Sequence, residues 1–217
     1  MEFLRQLDLV APTALEIPVH LIGCGGIGSF AALALGKLGC TRLHLYDDDQ
    51  VEEHNVPNQL FRLSDVGRPK AVALSEILEM FTGQRPEAVV RKVDGERLQG
   101  LVVSGVDSMA ARKAIWRRSI RYRAGIPLYL DGRLGAELCR VYAVRPTDPE
   151  DIRFYEQTLY DDSQAARLSC TAGAIIYTGF AMASLLADQV KKFAMGEPVM
   201  REIIHDLKTL TLVASQT

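Results

Sequence analysis

The chain predicts an α/β fold: a doubly wound, mostly parallel sheet with helices on both faces, and a C-terminal antiparallel extension. Three observations carry that prediction. Strand-like and helix-like patterns alternate through the first two-thirds of the 217 residues, as expected of a parallel sheet covered by helices. A glycine-rich turn, GCGGIG at 23–28, stands between the first strand pattern and the first helix pattern. After Pro146 the strand pattern fades and returns only as an alternating pair, REIIHDLKTLTLVA at 201–214, joined near Lys208.

Each element has its own reason. IPVHLIG (17–23) is an apolar run short enough for a buried strand, and IGSFAALALGKLG (27–39) is a small-residue helix stopped by Gly39. TRLHLYD (41–47) is the second strand, followed by a polar loop. PKAVALSEILEMFT (69–82) opens on proline, which suits a first helical turn, and repeats apolar residues at helical spacing. PEAVVRKV (86–93) and LQGLVVSGVD (98–107) read as strands, the latter ending on an aspartate. DSMAARKAIWRRSIRYRAG (107–125) reads as a helix stopped at Gly125, with PLYLDG (127–132) and ELCRVYAV (137–144) as two further strands. Beyond Pro146 a short helix and an irregular crossing segment are expected. CTAGAIIYTGFAMASLLADQVKKFAMG (170–196) then reads as one long, mostly apolar helix that packs centrally and ends at Gly196. No internal repeat and no polar linker divides the chain, so one domain over 1–217 is expected, with a nucleotide-binding core at about 17–145 and a crossover, helix and hairpin at about 146–217.

Composition excludes several function classes. The 25 basic and 27 acidic residues are interspersed and sum to a formal charge of -2. The longest same-sign clusters, Asp47-Asp48-Asp49 and Arg117-Arg118, are too short to track phosphates, so no nucleic-acid partner is expected. Arg112, Lys113, Arg117, Arg118, Arg121 and Arg123 read as a solvated helix face. MEFLRQLDLVAP carries acids and lacks the apolar core of a signal peptide, and the apolar stretch from Ala174 to Ala187 falls short of the ~20 residues that span a bilayer. A cytoplasmic protein without a membrane partner is the expectation. Cys24, Cys40, Cys139 and Cys170 form no C-x-x-C pair, which argues against a zinc knuckle or a disulfide framework. Cys24 is expected to pack in the glycine turn, Cys40 at the start of the second strand and Cys139 within a strand.

The glycine turn points to chemistry. Gly23, Gly25 and Gly28, with Gly26 between them, have the spacing of a Rossmann-like phosphate turn: a tight bend, close approach of backbone to phosphate, and close helix-to-strand packing. Asp47 ends the second strand where a carboxylate accepts hydrogen bonds from ribose hydroxyls. The turn alone does not name the nucleotide, and an NAD(P)-dependent oxidoreductase is one reading. The following segment, DDDQVEEHNVPNQLFRLSDVGRPKA, adds Asp49, Asn55, Gln59, Arg62 and Lys70. Lys70, in the first turn of a helix, either reaches nucleotide phosphates as a point charge or is solvated. Asp107 either holds Mg²⁺ beside the phosphates or caps the next helix, a task Ser108 can share.

Taken together, GCGGIGS, then DDDQVE with Asn55 and Gln59, then GRPKA, then VDSMAAR resemble the ubiquitin-activating-enzyme superfamily, including the ThiF/MoeB-type adenylyltransferases of thiamin and molybdopterin synthesis. The resemblance runs from residue 17 to 112 and extends through the helix after Cys170 to about 195. It implies ATP and Mg²⁺, a homodimer, and as partner a ubiquitin-like or sulfur-carrier β-grasp protein whose C-terminal carboxylate becomes an acyl-adenylate. By position it implies Asp47 for ribose, Asp49 for the loop, Lys70 for the phosphates and Asp107 for the metal. Asn58 stands where the family tends to carry an arginine that clamps phosphates; Arg62, a turn further on, is the nearest replacement. In related homodimers another arginine comes from the partner's N-terminal segment, and here Arg5 is the candidate. Cys170, in LSCTAG, matches a family cysteine, with buried packing or thioester formation as its two roles. No zinc-binding cysteine quartet and none of the extra domains of larger relatives is expected, a pattern that resembles the minimal bacterial members.

Asp131 and Arg133 are either substrate contacts or a buried ion pair. An oxidoreductase would need a proton relay, and His20 and His44 in strands, His54 in a loop and His205 in the hairpin offer little for one. A non-catalytic nucleotide-binding scaffold is the remaining alternative, kept open by Asn58.

Overall fold

The computed structural model describes residues 2–160 and 175–216. Among them one eight-stranded sheet has the order β3-β2-β1-β4-β5-β6-β7-β8. The strands are β1 (Val19–Ile22), β2 (Leu43–Tyr46), β3 (Glu87–Val89), β4 (Leu101–Ser104), β5 (Tyr129–Gly135), β6 (Leu138–Val144), β7 (Glu202–Asp206) and β8 (Thr211–Ser215). From β3 to β5 all pairings are parallel, and from β5 to β8 all are antiparallel. The expected α/β, Rossmann-like, doubly wound sheet with its antiparallel extension is therefore present, and the hairpin turns across Leu207–Leu210, as expected near Lys208.

The alternation of side chains along each strand divides the core in two. On one face Leu21, Leu45, Val103, Leu130 and Val141 pack with residues of α1 (Gly28–Leu38), α2 (Lys70–Thr82) and α5 (Ile176–Ala194). On the other, Ile22, Tyr46, Val102, Tyr129 and Tyr142 pack with α3 (Met109–Ile115), the π-helical turn Trp116–Ile120 and α4 (Pro149–Gln157). Burial on both faces explains why β1 and β4 read as continuous apolar runs rather than alternating ones. Strand order reverses between β1 and β4, so the crevice at their carboxyl ends is the place where doubly wound sheets bind ligands.

Three expectations about helices need correction. The helix expected over 107–125 is shorter. Its last turn widens, closing with Arg121 N–H on the Trp116 carbonyl at 2.8 Å, and it ends before Tyr122, whose φ of 61° lies in the left-handed region, rather than at Gly125. This turn carries Trp116, fully buried against Tyr129 and Tyr155. Secondly, Arg112 does not belong to a solvated face: it is 4% exposed on the inner side of α3 with Met109 and Ile115. Lastly, a single helix over 170–196 is not formed, because Ile175 is extended (ψ 152°) and α5 begins at Ile176. Its predicted stop is right, with Gly196 at φ 69° just beyond the end. Cys170 and the crossing segment at 161–174 lie outside the described residues. No helix among the described residues is long and apolar enough to cross a membrane.

Candidate nucleotide site

Backbone geometry at the β1–α1 turn is set by the absence of side chains. Gly23 has φ +90°, and a Cβ there would lie 3.0 Å from the Gly105 carbonyl oxygen. A Cβ on Gly28 would lie 1.7 Å from the Gly23 carbonyl oxygen, so no other residue starts α1 in this position. These two glycines serve packing. Gly25 and Gly26 differ: a Cβ on either would meet nothing nearer than 3.9 Å and 3.6 Å, respectively. Their bareness is not demanded by the fold; it leaves main chain open to an approaching group. Among the described residues no side chain caps the start of α1, and a helix N-terminus with uncapped N–H groups favours an anion. The donor set therefore fits a nucleotide phosphate.

Side chains close in from β2 and the loop after it. Asp47 accepts from the Cys24 N–H at 2.6 Å and the Asp49 N–H at 2.8 Å, which ties the end of β2 to the glycine turn. Burial pushes the Asp47 carboxyl above its usual value, against the opposing pull of those two amides and of Lys70. Asn55 is buried and caps its own loop by accepting from the Glu52 N–H at 2.9 Å. The Ser29 hydroxyl, on α1, accepts from the Leu60 N–H at 3.1 Å and holds this loop over the turn. Asn58 and Gln59 are accordingly the nearest groups to Gly26 and Gly25, and the Gln59 Oε1 is buried with no donor among the described residues.

Lys70 is the first residue of α2 and only 8% exposed. Its Nζ donates to the Asp49 carboxylate at 3.0 Å and its N–H to the Asp49 carbonyl at 2.9 Å. Of the two readings of this lysine, the solvated one is excluded. Asp107 follows β4 and is exposed, while Ser108 supplies the helix cap by accepting from the Ala111 N–H at 3.2 Å. Asp107 is thus released from capping, and it makes no ion pair among the described residues. Magnesium asks for one or two carboxylates with phosphate oxygens and waters completing the shell, and Asp107 fits that demand. The carboxylates of Asp47, Asp48 and Asp49 also lie within 4.8 Å of one another. However, Asp49 holds Lys70, and Asp48 lies 3.5 Å from Lys92.

Two expected arginines stand elsewhere. The Arg62 guanidinium is committed to the buried Asp65, at 2.9 Å and 2.8 Å, so in this conformation it does not replace the arginine missing at Asn58. Arg5 is exposed on the N-terminal turn Leu4–Gln6, which Gln6 anchors to the Leu38 carbonyl at 2.6 Å. That is the far end of α1 from the glycine turn, and an 11-residue helix is about 16 Å long. Arg5 therefore has no role in its own chain's turn.

Asp131 and Arg133 form the buried ion pair, not an exposed contact. Asp131 is fully buried and receives Arg112 Nε at 2.8 Å, Arg133 Nε at 2.8 Å and the Tyr155 hydroxyl at 3.1 Å. Sequence reasoning missed Arg112's place here and also Gly105, where a Cβ would lie 2.8 Å from the Ile27 side chain. A glycine immediately after an apolar strand was the available signal for the latter. His20 and His44 stack with ring centroids 4.6 Å apart in neighbouring strands, with His20 buried. A surface hollow of about 610 Å³, lined by Glu52, Glu53, His54, Val56, Pro57 and Leu63, opens on the outer loop and not on the glycines.

Comparison with known proteins gives the family and the fold. The model of the ThiF family matches residues 13–216. The chain is 31% identical over 106 residues to the NEDD8-activating enzyme E1 catalytic subunit of Arabidopsis thaliana, covering 46% of this chain and 23% of that protein. It is 34% identical over 109 residues to the sulfur carrier protein ThiS adenylyltransferase of Escherichia coli, covering 46% and 43%. The matches thus span less than half the length of these curated relatives. Among solved structures, E. coli MccB with AMPCPP and MccA superposes with a TM-score of 0.71 at 18% identity over 94% of this chain and 65% of that one. PaaA superposes with a TM-score of 0.73 at 19% identity, again over 94% and 65%. These two likenesses concern the fold.

Proposed function

Because this chain belongs to the ThiF family, we propose that it is an ATP-dependent adenylyltransferase that activates the C-terminal carboxylate of a ubiquitin-like or sulfur-carrier β-grasp protein. One observation carries the reading. The open main chain at Gly25 and Gly26 is flanked by a carboxylate bonded to the turn, Asp47, and by a buried lysine on the next helix, Lys70. That combination suits a ribose on one side and a polyphosphate on the other.

The triphosphate lies over Gly25, Gly26 and the start of α1, with the ribose hydroxyls on Asp47. Lys70 exchanges Asp49 for phosphate oxygens, both being anionic acceptors for its ammonium. Gln59, with its buried and unpartnered Oε1, and Asn58 border the nucleotide from above. Asp107 would hold Mg²⁺, which supplies charge neutralisation on the phosphates when bound. The substrate carboxylate oxygen attacks the α-phosphorus in line, the bond to the β-phosphate oxygen breaks, and pyrophosphate leaves with the electron pair, giving the acyl-adenylate. A carboxylate is a poor nucleophile toward another anion, so rate comes from positioning and from neutralised phosphate charge. In the second step a thiolate, Cys170 or an external sulfur nucleophile, attacks the acyl carbon and AMP leaves. A homodimer in which the other copy's Arg5 reaches the phosphates belongs to the same reading, as does treatment of 1–217 as one adenylation domain.

His20 and His44 are stacked on each other within the sheet, which lends hydride transfer no support from either. The test is direct. Purified chain, ATP·Mg²⁺ and a panel of ubiquitin-like and sulfur-carrier proteins are mixed, and mass spectrometry looks for the carrier–AMP adduct. An adduct with one carrier supports the assignment. Tight ATP binding without an adduct on any member favours the non-catalytic scaffold.

A further inference from the structure

Arg112 reaches the loop that carries Asp107 from inside the protein. Its Nη2 donates to the Val106 carbonyl at 2.7 Å, and its Nη1 makes a longer contact with the Ser108 carbonyl at 3.5 Å. The carbonyls on both sides of Asp107 are therefore held by one guanidinium. The same group donates through Nε to Asp131 at 2.8 Å and through Nη2 to the Gly132 carbonyl at 3.4 Å, both on β5. On the opposite side, Gly105 packs against Ile27 and Gly23 at the glycine turn. Asp107 is an exposed carboxylate whose backbone is clamped between β5 and the phosphate turn.

The energetics argue against a purely stabilising purpose. A buried ion pair generally contributes no more than apolar packing of equal volume, because both charges lose their water. Here two charged groups, Arg112 and Asp131, are buried where β4, β5 and α3 meet, with the partly buried Arg133 on the other carboxylate oxygen. What the guanidinium offers and a leucine does not is a rigid fork whose donors fix several oxygens at once.

We infer that Arg112, held by Asp131, is a positioning residue that sets the Asp107 carboxylate at a fixed distance from the nucleotide phosphates and their metal. The inference rests on the adenylation reading and adds to it the part that makes the metal ligand rigid. Arg133 binds the other oxygen of Asp131 and the Thr158 carbonyl and hydroxyl at 2.9 Å, so it supports Asp131 without touching the Asp107 loop. It is the internal control.

The experiment measures binding of a non-hydrolysable ATP analogue by calorimetry, with Mg²⁺ and with a chelator, in wild type, Arg112→Lys and Arg133→Lys. Lysine keeps the charge but does not span Asp131 and the Val106 carbonyl together. Loss of a group that orients a metal ligand typically costs about 10- to 100-fold in metal affinity. Arg112→Lys is expected to lose about tenfold or more of the Mg²⁺-dependent gain in analogue affinity, leave the chelator value within about twofold, and regain binding at raised Mg²⁺. Arg133→Lys is expected to keep the gain. An unchanged gain in Arg112→Lys, an equal loss in both variants, or a loss that Mg²⁺ does not restore would overturn the inference while leaving the adenylation reading standing. A wild type that binds no analogue under either condition would overturn both. If Arg112→Lys does not fold, amide hydrogen exchange on the nucleotide-free wild type decides: residues 105–108 are expected to exchange more slowly than the loop at 52–58, and equal exchange would overturn the inference.

Discussion

Two groups of aspartates in this molecule are built to opposite specifications. Asp65, Asp131 and Asp151 are buried and enclosed by guanidinium groups: Arg62 and Arg68 around the first, Arg112 and Arg133 around the second, Arg145 and Arg201 around the third. Asp47 and Asp49 follow β2 and Asp107 follows β4; the first two have amides and one lysine as partners, and Asp107 is exposed. The first group is electrostatically complete, so its energy is realised in the folded chain. The second is left incomplete on the side where a nucleotide is proposed. Charge that a fold satisfies internally holds shape, and charge that it leaves open marks the ligand.

The comparison can be broken in order of expected effect. Removing Asp131 leaves the buried Arg112 and the partly buried Arg133 uncompensated, and Asp131→Ala is expected to destabilise by about 3–5 kcal/mol in denaturant unfolding. A change under about 1 kcal/mol would show that the network is not holding the β4–β5–α3 junction. Lys70→Met is expected to do the reverse, leaving the unfolding midpoint nearly in place and lowering adenylation about 100-fold or more, the scale for one preorganised charge at a transition state.

Titration sharpens the contrast further. The Arg62 guanidinium bonded to Asp65 holds that carboxyl below its usual value, whereas burial pushes Asp47 up. For a depressed carboxyl the stabilisation is present above the unfolded pKa, near 3.9, and is lost as pH falls through the folded value. Asp65→Asn is therefore expected to flatten the loss of melting temperature below about pH 4. For Asp47 the sign is opposite, and its ionisation weakens folding as pH rises through the window above about 4. Carboxylate NMR on the wild type is expected to show Asp47 titrating above Asp65; the opposite order would break the comparison.

The smallest effect concerns thiols. Burial pushes Cys40 up to about 12 and Cys139 up to about 11, and raises Cys24 well above its ordinary value. All three are protonated at neutral pH, so iodoacetamide on the native chain is expected to modify none of them at an appreciable rate. Labelling of Cys24 would show that the glycine turn opens.

Much of this arrangement was legible in the sequence because it depends on local rules. The glycine spacing, the strand-turn-helix context and Asp47 at the end of β2 are consequences of residues close along the chain, as are the places of Cys24, Cys40 and Cys139. Other features were not legible because they are decided across the sheet. Arg112 sits among basic residues that read as one solvated face, and only the approach of β5 brings Asp131 under it. Arg62 looked available for phosphate until Asp65, three residues on, took its Nε and Nη2 donors. The helix expected to begin at Cys170 has composition in its favour, but Ile175 is extended and the described helix starts at Ile176. Asp107 illustrates the middle case: the sequence allows it to cap the helix and face the metal at once, and Ser108 is the cap that the fold uses.

The most direct test of the central claim is ATP–pyrophosphate exchange with the cognate carrier protein. Exchange is expected in wild type, lost in Lys70→Met and Asp107→Ala, and retained in Cys170→Ala, because the first step needs the phosphate groups and not the thiol. Exchange that survives both of the first two substitutions, or that requires Cys170, would contradict the account.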